Sequence, residues 1–69
     1  MESRLTNREY EIVLLLAQGL SNKGIARRIN VAEGTVKQHL HNIFEKFSIQ
    51  TRAQLIVMFY SILTKGEFQ

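Results

Sequence analysis

The chain reads as an all-α protein, a compact four-helix domain containing a helix-turn-helix, with helices at about residues 7–18, 22–29, 33–47 and 52–65. Three observations predict this. Proline is absent, and the four glycines, at 19, 24, 34 and 66, leave room for helices joined by short connections. Apolar residues recur at helical spacing rather than in strict alternation. Ser or Thr followed three residues later by Glu or Gln, the pattern of a capping box, marks two of the helix starts.

The first helix starts behind Thr6 as N-cap, with Glu9 closing the box and Leu5 and Tyr10 spaced for a hydrophobic staple, and Gly19 is its natural stop. The second is about two turns long, from Ser21 as N-cap to Ile29, with Asn30 suited to a left-handed exit. In the third, Val36, Leu40, Ile43, Phe44 and Phe47 recur on one stripe of a helix running from Glu33 to Phe47. The fourth starts at Thr51, which pairs with Gln54 as a second capping box, and reaches Lys65 before Gly66. Between the second and third helices only Asn30, Val31 and Ala32 remain, and so short a connection forces the sharp corner of a helix-turn-helix. An ordinary helical bundle with one tight corner has the same spacing.

At 69 residues the chain is expected to be one domain, 1–69, withdrawing only about 60% of its unfolded surface from water. Its stability is then on the order of 3–10 kcal/mol, so single caps and core side chains matter. Without cysteine there is no disulfide framework or thiolate metal site, and a cytoplasmic setting is expected. The apolar stretches at 12–17 and 55–60 are too short to span a bilayer, and Met-Glu-Ser-Arg is no signal peptide, so no membrane partner is expected. The net charge of +3 and pI near 9.7 favour a polyanionic partner, although such a charge is common among small domains.

On a wheel of about 100° per residue, Gly34, Gln38, His41 and Glu45 lie opposite the apolar stripe of the third helix, flanked by Lys37 and Asn42. An α-helix fits the major groove of B-DNA, and the early part of a recognition helix meets the base edges. Lys37 suits guanine O6/N7, Gln38 suits adenine N6/N7, and His41 can donate to a base or a phosphate; these are the candidate base-reading residues. Gly34 has no side chain to hold the backbone away. A solvated polar face has the same composition, and the position within the turn motif decides for DNA.

Ser21, Asn22 and Lys23 open the second helix, where free backbone N–H groups and the helix dipole favour a phosphate, with Arg27 and Arg28 adding charge nearby. His39 is a packing or phosphate-contacting residue. On the fourth helix Leu55, Ile56, Phe59, Ile62 and Leu63 form the core stripe, while Gln54, Val57, Met58 and Ser61 make a second face. That second face is the candidate dimer contact, and two-fold pairing would match half-sites about one helical turn apart.

The run LTNREYEIVLLLAQGLSNKGIARRINVAEGTVKQHLHNIFEKFSIQTRAQLIV resembles the LuxR/GerE-type helix-turn-helix domain of quorum-sensing receptors and NarL/FixJ-type response regulators. LTNRE, GLSNKGIA and TVKQHLHNIFEKF carry the resemblance, which covers Leu5 to Val57. It implies a transcription regulator binding double-stranded DNA as a homodimer, with the third helix in the major groove and the fourth pairing two subunits. By motif position it places Lys37 and Gln38 at base-facing sites with His41 one turn on, and brings Thr35, Asn22 and Lys23 to phosphates. Arg52 resembles the family's usual arginine, with a backbone contact to DNA or a structural role. RNA polymerase is a further implied partner, positioned or blocked by the bound protein; the resemblance names no cofactor.

The chain departs from the family pattern at Gly24, usually glutamate, and at Ala32, often a serine N-cap. The first removes a capping partner and costs about 0.8–1 kcal/mol against alanine, the second about 1 kcal/mol. No enzyme or metal site is expected: His39 and His41 point about 200° apart on a helix, and there is no HExxH, phosphate loop or nucleophile motif. The rival reading is a helical protein-docking module of the transcription machinery, for which a sigma-factor region with a similar LTxRE opening is the nearest analogue.

Overall fold

The computed structural model describes the backbone of residues 5–66 and the side chains of residues 5–61. Its regular structure is helical throughout: α1 (Asn7–Ala17), α2 (Asn22–Ile29), α3 (Glu33–Phe47) and α4 (Arg52–Gly66). The first helix ends one residue earlier than its sequence signals place it, and the last includes Gly66.

The expected starts are present in atomic detail. Thr6 Oγ1 accepts the Glu9 N–H at 3.1 Å while Glu9 Oε1 accepts the Thr6 N–H at 2.8 Å, and Thr51 and Gln54 make the same reciprocal pair at 3.1 Å each way. Ser21 caps α2 through the Gly24 N–H, at 3.1 Å, but glycine returns no side chain to complete a box. Ala32 gives α3 no side-chain cap at all.

α1, α2 and α3 end in one and the same way. Gly19, Asn30 and Ser48 adopt positive φ of 98°, 61° and 56°. Behind each, the following residue's N–H reaches five residues back, as Leu20 to Leu15, Val31 to Ala26 and Ile49 to Phe44. This is the Schellman arrangement, and its usual apolar contact is supplied each time, since Leu20, Val31 and Ile49 all pack against the core. Serine in the left-handed region is the unexpected member, because only Gly and Asn visit it at low cost.

The core gathers Ile12, Val13, Leu15 and Leu16 of α1, Ile25 and Ala26 of α2, Val36, Leu40 and Ile43 of α3, and Leu55 and Phe59 of α4. α2 packs chiefly on α3, and α1 against α4 and α3, so α1 is the shared floor. Phe44, Phe47 and Ile56 are half-buried at its margin. Ile62 and Leu63, expected on the same stripe of α4, have side chains outside the described residues. Tyr10 leans on Phe59 with ring centroids 5.5 Å apart, and Leu5 packs against the core.

Among the described residues an ion pair crosses this floor. Lys46 Nζ donates to Glu9 Oε1 at 2.7 Å, tying the last turn of α3 to the cap of α1. Burial alone would push the Glu9 carboxyl up, but hydrogen bonds from Lys46 and from the Thr6 backbone, with the Lys46 charge, outweigh it and hold the group below its ordinary value. Thus the orientation of α3 is anchored at both ends, by the short turn at one and by this pair at the other.

Candidate nucleic-acid interface

The turn between α2 and α3 leaves one side of α3 uncovered. Gly34, Thr35, Lys37, Gln38, His41, Asn42 and Glu45 are exposed, opposite the fully buried Val36 and Ile43. His39 is half-buried at the boundary. Two i,i+4 pairs run along this face: Gln38 Nε2 donates to Asn42 Oδ1 at 3.1 Å, and His41 Nε2 lies 3.3 Å from Glu45 Oε2. A Cβ added at Gly34 would meet nothing within 4 Å, so the start of α3 offers bare backbone to whatever approaches.

The beginnings of α2 and α4 stand beside this face. Arg52 Nη1 donates to Asn22 Oδ1 at 2.9 Å and Nη2 to the Leu20 carbonyl at 3.3 Å, so Arg52 fastens the first residue of α4 to the start of α2. The structural alternative for Arg52 is therefore realised in the protein, through two of the five donors of its guanidinium. Asn22, Lys37, Leu40, His41, Phe44 and Arg52 line one shallow open groove, with an apolar floor and cationic or polar rims. Ser21 and Lys23 are exposed at the same helix start.

Charge is distributed unevenly. Among the described residues Arg8 pairs with Glu11 and Lys46 with Glu9, so the remaining positive charge sits on Lys23, Arg27, Arg28, Lys37 and Arg52. All five are exposed and belong to α2, the first turns of α3 or the start of α4. Across the α4 surface, Ile49, Ala53, Gln54, Val57, Met58 and Ser61 border a second, mostly apolar depression. Val57 is 68% exposed there, whereas Met58 is half-buried and also packs against the core.

Residues 3–59 match the family described as bacterial regulatory proteins, luxR family. The chain belongs to the luxR family. Within it the chain is 44% identical over 57 residues to the nitrate/nitrite response regulator protein NarP of Escherichia coli, covering 83% of this chain and 26% of NarP. It is 43% identical over 58 residues to the transcriptional regulatory protein LnrK of Bacillus subtilis, covering 84% and 26%. The crystal structure of the response regulator ChrA of a heme-sensing two-component system superposes with a TM-score of 0.77 at 38% identity, over 83% of this chain and 28% of ChrA. The chain spans about a quarter of the length of the relatives it matches. It is a luxR-type helix-turn-helix DNA-binding domain of transcription regulators.

In this luxR-family domain Gly24 leaves the α2 box half made and Ala32 leaves α3 without a side-chain cap. The structure brings Lys37, His41, Asn22 and Arg52 to one groove and sets Gln38 beside it on the same exposed face. Sequence reading did not foresee that Arg52 and Asn22 hold each other, because they are 30 residues apart. The Gln38–Asn42 and His41–Glu45 pairs were within its reach, since i,i+4 neighbours meet on any helix. Among the described residues no helix is long and apolar enough to cross a membrane.

Proposed function

We propose that this domain binds double-stranded DNA sequence-specifically, with α3 in the major groove and Lys37, Gln38 and His41 reading base edges. The observation that carries the reading is the uncovered face of α3, whose outward side chains are polar, with Lys37 and Arg52 in the groove along it and neither in an ion pair among the described residues. Ser21, Asn22, Lys23, Thr35, His39 and Arg52 contact phosphates around it. For Asn22 and Arg52 that contact uses groups left over from their mutual hydrogen bond. Gln54, Val57, Met58 and Ser61 form a homodimer contact on two-fold-related half-sites, supported by the exposed Val57 and the apolar depression around it. The bound dimer positions or blocks RNA polymerase in the cytoplasm, with no catalytic role of its own.

The test is selection of duplexes from a mixed pool at two salt concentrations, alongside a Lys37→Ala, Gln38→Ala variant. We expect a two-fold-symmetric motif that the variant loses while retaining its helical circular dichroism. Removing a phosphate contact such as Lys23 should weaken all sites alike and lower the salt slope by about one. A folded protein that retains no DNA at low salt would return the domain to the docking-module reading.

A further inference from the structure

One contact in the groove joins a side chain that can turn over to one that cannot change its character. An asparagine amide is an acceptor on one side and a donor on the other, and half a turn about its last bond exchanges them. A guanidinium offers N–H donors and no acceptor, whichever way it turns. Where the two meet, with Arg52 Nη1 and Asn22 Oδ1 2.9 Å apart, only the amide oxygen can face the arginine. Arg52 is itself held at a second point, since its Nη2 donates to the Leu20 carbonyl at 3.3 Å.

We propose that Arg52 is the positioning residue for the Asn22 side chain and keeps the Asn22 Nδ2 donors for a DNA phosphate, an inference that rests on the reading of Asn22 as a phosphate contact. Asn22 is the first residue of α2 and lines the groove with Lys37, His41 and Arg52. With Oδ1 taken by Arg52, both N–H groups of Nδ2 are left for an anion. Turned over, the amide would set N–H against N–H at Arg52 and oxygen against oxygen at the phosphate, so both neighbours reject the same orientation. Ser21, the adjoining side chain, does not compete for Asn22, because its Oγ accepts the Gly24 N–H at 3.1 Å. In the free protein the Arg52 to Asn22 bond is exposed and water competes with it. DNA packed over the groove displaces that water and strengthens the bond. A cation at position 52 attracts the DNA backbone at any geometry; only the bond to Oδ1 makes Asn22 a donor toward it.

The experiment measures affinity for duplexes selected by the wild-type domain, at a temperature where every variant is folded, together with thermal melts. Wild type, Asn22→Ala, Arg52→Met and the double variant form a cycle in which the lost charge of Arg52 cancels, and Asn22→Asp is added to it. In the wild-type background Asn22→Ala should weaken binding about five- to tenfold, alike for all selected sequences. In the Arg52→Met background it should weaken binding less than about twofold. Asn22→Asp keeps an acceptor for Arg52, and so the melting temperature, but has no donor and should bind no better than Asn22→Ala. Equal Asn22→Ala losses in both backgrounds, with coupling confined to the melting temperatures, would make Arg52 a brace only and overturn the proposal, as would wild-type affinity of Asn22→Asp. An Asn22→Ala domain that binds as wild type would overturn both the proposal and the phosphate contact of Asn22, leaving the reading of α3 intact. A folded wild-type domain that retains no DNA would overturn the recognition-helix reading as well.

Discussion

The outer helices, α1 and α4, and the inner pair, α2 and α3, are held by different means. α1 and α4 each begin with a complete reciprocal capping box, and the α1 box is further locked by Lys46. α2 has half a box and α3 none. All four helices contribute side chains with almost no exposed surface, Ile12 and Val13 in α1, Ile25 in α2, Val36 and Ile43 in α3, and Leu55 and Phe59 in α4. The helices that form the helix-turn-helix are thus the ones with least local reinforcement, and burial supplies what their caps do not. The recognition surface therefore owes its position to the core beneath it more than to its own helix signals.

Breaking the burial should have the largest effect. Ile43→Ala removes a fully buried side chain of α3 and is expected to cost about 3–4 kcal/mol, against about 1 kcal/mol for Thr6→Ala at the α1 cap. Urea unfolding followed by circular dichroism compares them; equal losses would dissolve the distinction between the two pairs of helices. On a total stability of order 3–10 kcal/mol, the Ile43 variant should be partly unfolded at 37 °C.

Next in size is the lock between α1 and α3. Because the Glu9 carboxyl titrates below its ordinary value in the folded protein, its contribution is complete above about pH 4.3 and is lost as pH falls through the lower, folded value. Glu9→Gln keeps an acceptor for the Thr6 N–H but loses the charge facing Lys46. It should cost about 1–2 kcal/mol at pH 7 and flatten the acid limb of the stability curve. Thermal melts of both proteins between pH 7 and pH 3 give the answer, and parallel curves would show that Glu9 contributes no pH dependence.

The smallest changes should be gains, made by mending the starts of α2 and α3. Ala32→Ser supplies the missing α3 cap, and Gly24→Ala adds a methyl whose nearest neighbours, Ser21 Oγ and Leu20, stand 3.5–3.6 Å away in ordinary contact. Each should add about 1 kcal/mol, raising the melting temperature by about 4–8 °C. Ser48→Gly relieves the left-handed serine and should add somewhat less, about 0.5–1 kcal/mol. No rise in melting temperature for Ala32→Ser would mean that α3 does not lack a cap in any energetic sense.

Most of the fold was legible because its signals are local. Thr6 with Glu9, Ser21, Asn30, and the Val36 to Phe47 stripe each depend on residues within a turn or two, where backbone geometry alone dictates who meets whom. The exposed face carrying Lys37, Gln38 and His41 was legible for the same reason, as the complement of that stripe. Ser48 was not, because nothing in a serine announces positive φ; the apolar Ile49 that must fold back onto the core imposes it. Met58 was assigned to a surface face of α4, but it also leans on the core, since two helix faces meet without a sharp edge.

Where each helix starts, which stripe it buries and which residues it turns outward all follow from 3.6-residue periodicity and capping chemistry within the chain. That Lys46 meets Glu9 across 37 residues and that Arg52 takes up Asn22 across 30 comes only from helix packing. Such pairs follow from the angles at which packed helices cross, and those angles are set by how whole side-chain surfaces interlock rather than by any short stretch of chain.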